Sequence, residues 1–431
     1  MVLQRVLLIA CGASSNAARL VIASGKHFIV LDTSTAKAVA GPPDIDKTHT
    51  DHVSSTSYIS IPDASFPNAD IIDMACNARG TLMACCAEDK SITVWSTDSW
   101  IRTCKRTALK RLSVCIFSPD SSCVLAGDKF GDMYRFSLSA DEAKPTLLGG
   151  HVSMLTDMIL SPSNEYLISA DRDEKIRVHH YPNTYNLEQF CLGHKHFVSN
   201  ITIPSFAPNL LLSGGGDDEL FVWDYHTGAL LHRTDIHSCV EHVPTLQDIE
   251  TPPTLLDVVS VSAFHVNEAN KEIAVLLEGR PCIIVIDASE MSSRLIIKRV
   301  ILTINETAQY VPYDAVYDTG GKLWTVGYTH PISDMTRLEN ACRVYDTNSD
   351  GPPDNILNWW QSSANAPSFD MFALGKLRKK WFEERNKMQD NNDFGNGGGQ
   401  TSATGDESKK QNKKGGRGGD MSRPPYARHN K

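Results

Sequence analysis

Two short stretches of the sequence carry residue types that could bind phosphate or a metal ion. Gly214–Gly216 looks like a phosphate-binding loop, but the next three residues, Asp217–Glu219, are acidic and would repel a phosphate. The loop also reads as a turn between two strands, whereas phosphate loops precede a helix whose N–H groups converge on the anion. His237, Cys239 and His242 are metal-ligand types, but no second group of ligands accompanies them. We therefore predict neither a phosphate site nor a metal site at these positions.

Motifs that mark catalytic nucleophiles, nucleotide loops and zinc proteases are missing from the chain. It contains no GxSxG, no GxxxxGK(S/T) and no HExxH sequence. It also has no glycine-rich segment that follows a strand and opens a helix, as dinucleotide sites require. The prediction is a protein that is not an enzyme and holds no cofactor.

A repeat of 41–44 residues organises the middle of the sequence. Ser118-Pro119 recurs as Ser161-Pro162, and Gly150-His151 recurs as Gly193-His194, each 43 residues later. Strand-like segments recur 41, 43 and 44 residues apart, at Ile92–Trp95, Met133–Phe136, Ile176–His179 and Leu220–Trp223. A period near 40–45 residues with GH and WD punctuation is typical of WD-type β-propellers, in which each repeat is a four-stranded blade.

One repeat carries the residues that form a buried hydrogen-bonded tetrad in WD blades. These are His194, Ser213, Asp217 and Trp223. We expect the aspartate to accept from the histidine and from the tight turn, the serine to bridge, and the tryptophan N–H to supply the last donor. Four buried polar groups are tolerated only when each finds a partner, so these residues are predicted to be structural.

The preceding repeat carries an incomplete version of the same set. His151, Ser169 and Asp173 stand at the matching positions, but His179 replaces the tryptophan. This blade is therefore predicted to lack the indole donor.

Seven repeats can be counted, which predicts an all-β, seven-bladed propeller. They lie near residues 12–40, 71–108, 112–148, 154–191, 197–233, 257–302 and 313–347. The last one ends at Arg343–Asp346 with no outer strand, because Gly351–Pro353 follows. The N-terminal run Gln4–Ala10 reads as a strand, not as a signal peptide. We expect it to pair with the last repeat as its fourth strand, which would close the ring and remove a sheet edge.

The chain is thus divided into a propeller (1–350), a linker with a C-terminal helix (351–390) and a tail (391–431). A helix is predicted over 369–389, where five apolar residues recur at mostly helical spacing: Phe372, Leu374, Leu377, Trp381 and Phe382. The tail is rich in Asn, Gly, Ser and Lys and is predicted to be disordered. Lys409–Lys414 is either a nuclear import signal or part of a solvating tail.

Composition limits the classes of partner. The chain has a net charge of −9, and residues 391–431 contribute eight Lys/Arg and four Asp/Glu, a net of +4, which leaves −13 in residues 1–390. An acidic body does not attract phosphate backbones by itself. No apolar stretch approaches the roughly 20 residues of a membrane-spanning helix. Eleven cysteines without a CxxC pair indicate reduced thiols in the nucleus or cytosol.

Two charged stretches remain as candidate binding sites. Lys105–Arg111 contains four cations at the edge of the second repeat, where they contact a phosphate backbone or merely keep the edge solvated. In Ala170–Val178, strand alternation places Lys175 and Arg177 on the face opposite two buried apolar residues. Neighbouring cations on one face repel each other unless carboxylates meet them, and a partner protein is one source of carboxylates.

The sequence also resembles a known family. The segments Leu148–Asp157, Ser169–Val178 and Phe190–Ser199, with ADRDEKIRV and FCLGH inside them, resemble the WD-repeat non-catalytic subunit of the tRNA (guanine-N7)-methyltransferase, and its insect members look nearest. The similarity is dense over about residues 112–224 and is only a pattern elsewhere. The extra glycine in Gly149-Gly150-His151 departs from the family.

The resemblance implies a heterodimer that acts on tRNA. A separate catalytic subunit would bind S-adenosylmethionine and methylate a guanine in the variable loop, while the propeller holds and stabilises it and helps to hold the tRNA. The resemblance assigns Lys175 and Arg177, with Arg172 a weaker candidate, to contacts with acidic residues of the catalytic subunit. The lysines at 409–414 separately favour a nuclear location, with the cytoplasm left open.

A different class of function fits the same fold. A generic WD adaptor would be a substrate receptor for ubiquitin ligation or an assembly platform for chromatin or germline factors. The stoichiometric partner discriminates between the two hypotheses, because only the first requires an S-adenosylmethionine-binding subunit.

Overall fold

The computed structural model describes residues 4–9, 18–43, 58–139, 144–243, 259–305, 308–331, 339–349 and 354–361. These residues form seven antiparallel blades, which confirms the predicted seven-bladed β-propeller. Apart from one 3-10 turn at Asp63–Ser65, the described residues are strands and the connections between them. The predicted C-terminal helix and the tail lie outside the described residues.

The strands of each blade follow one another in the chain. Blade one contains β1 (Gln4–Ile9), β2 (Arg19–Ser24), β3 (His27–Asp32), β4 (Ala38–Gly41) and a short parallel strand β5 (Ile59–Ser60). Blade two contains β6 (Ile71–Cys76), β7 (Leu82–Ala87), β8 (Ser91–Ser96) and β9 (Arg102–Thr107). Blade three contains β10 (Leu112–Phe117), β11 (Cys123–Asp128), β12 (Asp132–Ser137) and β13 (Thr146–Gly150). Blade four contains β14 (Leu155–Leu160), β15 (Tyr166–Asp171), β16 (Lys175–His180) and β17 (Leu187–Leu192).

The remaining three blades repeat this order. Blade five contains β18 (Val198–Thr202), β19 (Leu210–Gly215), β20 (Glu219–Asp224) and β21 (Ala229–Asp235). Blade six contains β22 (Val261–Asn267), β23 (Glu272–Leu277), β24 (Cys282–Asp287) and β25 (Ile296–Leu302). Blade seven contains β26 (Ala308–Tyr317), β27 (Lys322–Pro331), β28 (Glu339–Asp346) and β29 (Asp354–Gln361).

Burial along the strands follows from their place in the blade. The second strands β7, β11, β15 and β19 are buried along almost their whole length, because a neighbouring blade covers each face of the sheet. The outer strands β9 and β21 alternate between half-buried and exposed side chains. The apolar runs and the alternating runs of the sequence therefore mark inner and outer strands respectively.

The hydrophobic core is divided among the contacts between blades. Seven buried clusters are present in the described residues, and each joins two neighbouring blades. The ring closes between blades seven and one, where Trp324 and Val326 pack with Leu20 and Ile22. Closure thus rests on side-chain packing between two complete sheets.

The predicted pairing of the N-terminal strand is wrong. β1 pairs with β2 in register from Gln4 opposite Ser24 to Ile9 opposite Arg19, so it is the inner strand of blade one. The outer strand of blade seven is β29, which pairs with β28 and comes from residues that the sequence assigned to the linker. Both pairings join strands that are neighbours in the chain, and short connections cost less conformational entropy than a connection between the two ends.

Candidate partner-binding site

The tetrad residues of blade five lie together and are buried. The carboxylate of Asp217 accepts a hydrogen bond from His194 Nδ1 at 2.7 Å, and Ser213 Oγ lies 2.7 Å from His194 Nε2. Trp223 Nε1 donates to Ser213 Oγ at 2.8 Å. Asp217 also accepts the backbone N–H of Lys195 at 3.0 Å, so it fixes the turn that follows the histidine. Burial raises the pKa of Asp217, but the bonds from His194 and the turn outweigh it and hold that pKa below its usual value.

Blade four uses a different aspartate from the predicted one. His151 Nδ1 donates to Asp171 at 2.8 Å and its Nε2 lies 2.7 Å from Ser169 Oγ, so Asp173 is not the acceptor. Asp171 is the last residue of β15 and is buried, whereas Asp173 lies half-buried in the turn two residues later. The prediction of Asp173 as the acceptor, made by comparison with blade five, is therefore wrong. Asp171, at the end of β15, reaches the same histidine.

His179 stands at the tryptophan position and bonds elsewhere, as expected for an incomplete tetrad. Its Nδ1 donates to the carbonyl of Thr184 at 2.7 Å. Burial, with the positive charge of Arg177 nearby, lowers the pKa of His179 to about 4. Its ring centroid lies 6.1 Å from that of His151, whose pKa is also lowered, chiefly by burial. Two neutral histidines thus lie behind the candidate cation pair.

Strand β16 places Lys175 and Arg177 as alternation predicts. Ile176 and Val178 are fully buried against blade five, while Lys175 and Arg177 are half-buried on the face towards blade three. Arg177 lies opposite Ser169 of β15, on the face of the tetrad residues of blade four. The two cations therefore share the face of blade four that is turned towards blade three.

The contacts of the two cations are made with backbone carbonyls and one ring. Arg177 Nη1 donates to Gly150 O at 3.0 Å, and its guanidinium lies 5.7 Å from the ring centroid of Phe190. Lys175 Nζ donates to Asp173 O at 3.0 Å. No salt bridge joins either side chain to a carboxylate among the described residues. This face of blade four thus presents two cations whose charge is not neutralised by a direct ion pair within the described residues.

Arg172 lies in the turn between β15 and β16. Its backbone N–H donates to Met154 O at 3.0 Å, which ties this turn to the connection between blades three and four. Its side chain is half-buried. The three predicted partner-binding residues therefore lie on one turn and the strand that follows it.

The basic stretch Lys105–Arg111 is largely engaged within the propeller. Arg106 donates to the carbonyls of Ser137 and Ser139, at 3.0 and 2.7 Å. Lys110 forms a salt bridge with Asp132 at 2.9 Å, and Arg111 lies 3.5 Å from Glu88. This stretch holds blade two to blade three, and its cations are partly neutralised.

Other candidate sites have packing explanations. A side-chain Cβ on Gly215 would lie 2.0 Å from Phe197 O, so this glycine of the triplet is required by close packing and not by a phosphate. His237 pairs with Glu241 at 3.8 Å, and Cys239 donates to Ile236 O at 2.9 Å.

One group of possible metal ligands was not foreseen from the sequence. Asp73, Cys86 and Cys115 bring their ligand atoms within 4.8 Å of one another. The carboxylate of Asp73 in blade two accepts the backbone N–H of Cys115 in blade three at 2.9 Å. In the same way, Asp157 in blade four accepts the backbone N–H of Ile201 in blade five. A hydrogen bond with Cys86 and burial raise the pKa of the Cys115 thiol well above its usual value, which disfavours the thiolate that a metal needs. This aspartate is a recurring link between inner strands.

No helix in the described part of the chain is long and apolar enough to cross a membrane. The seven blades and the His–Ser–Asp–Trp network of blade five define the class of protein, a WD40-type β-propeller. A family model described as the tRNA methyltransferase TRM82 WD40 domain matches residues 46–149 and 140–309. The chain belongs to this family, which confirms the resemblance found in the sequence.

Relatives at moderate identity carry corresponding names. The tRNA (guanine-N(7)-)-methyltransferase non-catalytic subunit wdr4 of Danio rerio is 32% identical over 257 residues, 59% of each chain. The human protein of that name is 31% identical over 247 residues, 57% of each chain. The TRM82 subunit of Saccharomyces cerevisiae is 35% identical over 225 residues, 48% of this chain and 50% of the relative. The chain thus spans between half and three fifths of the length of these relatives.

Solved structures show the same fold at low identity. The structure of U3-55K superposes with a TM-score of 0.54 at 14% identity, covering 74% of this chain and 90% of that one. The C-terminal WD40 domain of Sif2 superposes with a TM-score of 0.51 at 13% identity, covering 74% of this chain and 78% of that one. These similarities extend to the propeller fold alone.

Proposed function

We propose that this chain is the non-catalytic subunit of a tRNA (guanine-N7)-methyltransferase, and that it binds and stabilises the catalytic subunit for methylation of the variable-loop guanine. The observation that carries the proposal is the cation pair Lys175 and Arg177 on one face of β16, within the segment most similar to the family. Membership of the family and the names of the relatives support the role. The catalytic subunit supplies the cofactor site and the reacting groups, and this chain supplies the docking surface.

The geometry of the pair suits an acidic partner. Gly150 O accepts only one of the five N–H groups of the Arg177 guanidinium among the described residues. A carboxylate would accept two N–H groups of a guanidinium at once, which gives both strength and orientation. Lys175, two residues earlier on the same face, would add a second point charge. The face is half-buried, so water screens such a contact less than one at an open surface.

The test is the affinity of the Arg177→Ala variant for the catalytic subunit. Truncating one partner of a buried interfacial charge pair typically costs about 2–5 kcal/mol, so we expect the affinity to fall about 30-fold or more. Arg177→Lys should lie between the variant and the wild type, because it keeps the charge and loses the planar fork. A surface salt bridge inside the propeller would contribute only about 0–1 kcal/mol and would leave binding almost unchanged.

Arg343 provides a matched control on the far side of the ring. It occupies the third strand of blade seven, opposite Thr325, and lies 4.2 Å from the ring of Tyr310, as Arg177 lies over Phe190. Arg343→Ala should therefore show any loss of folding stability that comes from removing a stacked arginine, while its affinity for the catalytic subunit stays unchanged. Melting curves of both variants separate a folding defect from a docking defect. Arg177→Ala binding within about threefold of wild type would show that the catalytic subunit docks elsewhere.

Purification of the tagged chain from its own cells tests the role itself. We expect a stoichiometric partner that binds S-adenosylmethionine. Recovery of a ubiquitin-ligase adaptor or of histones in its place would favour a generic WD adaptor.

We also propose a nuclear location, based on the lysines at 409–414. The test compares the cellular distribution of a fluorescent full-length chain with that of a chain lacking residues 391–431.

A further inference from the structure

Three exposed apolar side chains lie in the strand ends and connections of blades three and four, the two blades that flank the cation pair. Leu192, 59% exposed, is the cross-strand neighbour of Lys175. Val152 is 94% exposed in the connection between blades three and four, and Phe130 is 65% exposed in the turn between β11 and β12. Single exposed apolar residues are common on protein surfaces, so their grouping is the informative feature.

Backbone contacts join these residues into one surface. Arg177 donates to Gly150 O, and Gly150 pairs with Asp132. Gly131, between Phe130 and Asp132, has a φ of +102°, and a Cβ there would lie 2.4 Å from His151 O and 2.5 Å from Ser153 O. The turn that carries Phe130 therefore lies directly against the segment that carries Val152. We call Phe130, Val152 and Leu192 the apolar rim.

Charged groups hold Phe130 at the end of this rim. Lys110 Nζ lies 4.8 Å from the centroid of the Phe130 ring and 2.9 Å from a carboxylate oxygen of Asp132. The backbone N–H of Phe130 donates to the buried Asp128 at 2.7 Å. The turn is thus already ordered in the free chain, so binding a partner loses little conformational entropy there.

We infer that the apolar rim docks apolar side chains of the catalytic subunit that flank the carboxylates received by Lys175 and Arg177. This inference rests on the proposed function and extends the docking site from blade four across blade three. Charge complementarity selects the occupant, because an acidic segment with apolar neighbours satisfies both the cations and the rim. Interfaces combine a desolvated apolar centre with charged pairs in this manner, and aromatic and arginine residues carry much of their energy.

The chemistry of the rim favours a protein over RNA. Val152 and Leu192 have no ring on which a base could stack, and stacking supplies much of the affinity for single-stranded RNA. Lys110, the cation next to Phe130, is already paired with Asp132. A phosphate backbone would also meet a chain with a net charge of −9.

Two substitutions in the full chain test the rim through its affinity for the catalytic subunit, measured by titration. Val152→Asp places a negative charge where an acidic partner is expected, and Phe130→Ala removes the ring. We expect each to weaken binding by at least about 10-fold, with Phe130→Leu restoring most of the affinity. Leu302→Asp is the matched control, since Leu302 is 56% exposed on blade six. It should bind like the wild type, and all variants should melt like the wild type because the changed side chains are exposed.

The possible outcomes separate this inference from the proposed function. Loss of affinity in both rim variants, with Leu302→Asp unchanged, supports the inference. Rim variants that bind within about twofold of wild type, while Arg177→Ala binds weakly, overturn the rim and leave the proposed function intact. Rim variants that keep the catalytic subunit but reduce tRNA binding by the complex assign the surface to RNA and also overturn it. A wild-type chain that does not bind the catalytic subunit overturns both proposals.

Discussion

At the scale of single residues, buried carboxylates hold turns of this propeller in place. Asp217 and Asp171 each accept from a histidine and from a backbone N–H of the following or preceding turn. The two aspartates occupy different positions relative to their strands, yet each meets a histidine on the same kind of turn. Sequence spacing could identify the histidine and serine of blade four, but not which of Asp171 and Asp173 is buried, because the two lie only two residues apart.

Loss of either buried carboxylate should destabilise the fold. Asp217→Ala and Asp171→Ala each leave a buried histidine donor unsatisfied, which costs about 1–3 kcal/mol per group. Asp173→Ala is the matched control two residues after Asp171, and we expect a smaller loss of stability because that residue is half-buried. Urea unfolding of the three variants measures the differences. Equal losses for Asp171→Ala and Asp173→Ala would contradict the assigned acceptor.

His179 should make the propeller sensitive to mild acid. Its pKa is about 4 in the fold, below the ordinary 6.5, so the folded state binds fewer protons than the unfolded chain and stability rises with pH. The contribution is complete above pH 6.5 and is lost as the pH falls towards 4, reaching about 2 kcal/mol of loss near pH 5. His151, also lowered, acts in the same direction.

The variant His179→Gln isolates this contribution. Glutamine stays neutral and can donate to Thr184 O, so its unfolding free energy should depend less on pH between 7 and 5 than that of the wild type. The measurement is chemical denaturation at several pH values. Parallel pH profiles for the two proteins would show that His179 does not titrate on unfolding.

At the scale of elements, each blade is built from consecutive strands. The repeat period gave the positions of the central blades because their strands alternate or run apolar in step with the turns. The repeat period could not assign the partners of β1 and β29, because the pattern of a single strand predicts that a strand forms but does not predict which sheet edge it pairs with. Strand β1 pairs with the next strand β2, and β29 pairs with the preceding strand β28, so both are paired with sequence neighbours.

Strand β29 should therefore be needed for blade seven. A chain that ends at residue 361 keeps the strand, while one that ends at residue 353 leaves β28 as an exposed edge open to other chains. We expect the shorter chain to melt about 5–10 °C lower and to aggregate more readily. Thermal unfolding and light scattering of the matched pair provide the comparison. Identical behaviour would mean that the stable blade ends at β28.

At the scale of the whole molecule, the sequence predicted the number of blades and the alternation that places Lys175 and Arg177 on one face. Both follow from periodicity, which is a local property. The apolar rim was not predictable in this way, because Phe130, Val152 and Leu192 come from three connections or strand ends of two blades. The packing of Gly131 against His151 and Ser153 brings the Phe130 turn to the segment of Val152, and the pairing of Leu192 with Lys175 adds the third residue.

The charge of the whole chain governs how it should meet RNA. Residues 1–390 carry the negative charge and residues 391–431 a net of +4, and an acidic body repels phosphates beyond the reach of local cations. We expect the free chain not to retain tRNA at about 150 mM salt, and the complex with the catalytic subunit to do so. A chain lacking residues 391–431 should form the complex as well as the full chain does, and that complex should bind tRNA with the same affinity. Mobility-shift titrations of the free chain and of both complexes make the measurement. If the free chain shifts tRNA at micromolar concentration, a local patch overrides the net charge, and loss of that shift in Lys110→Ala would place the patch at the boundary of blades two and three.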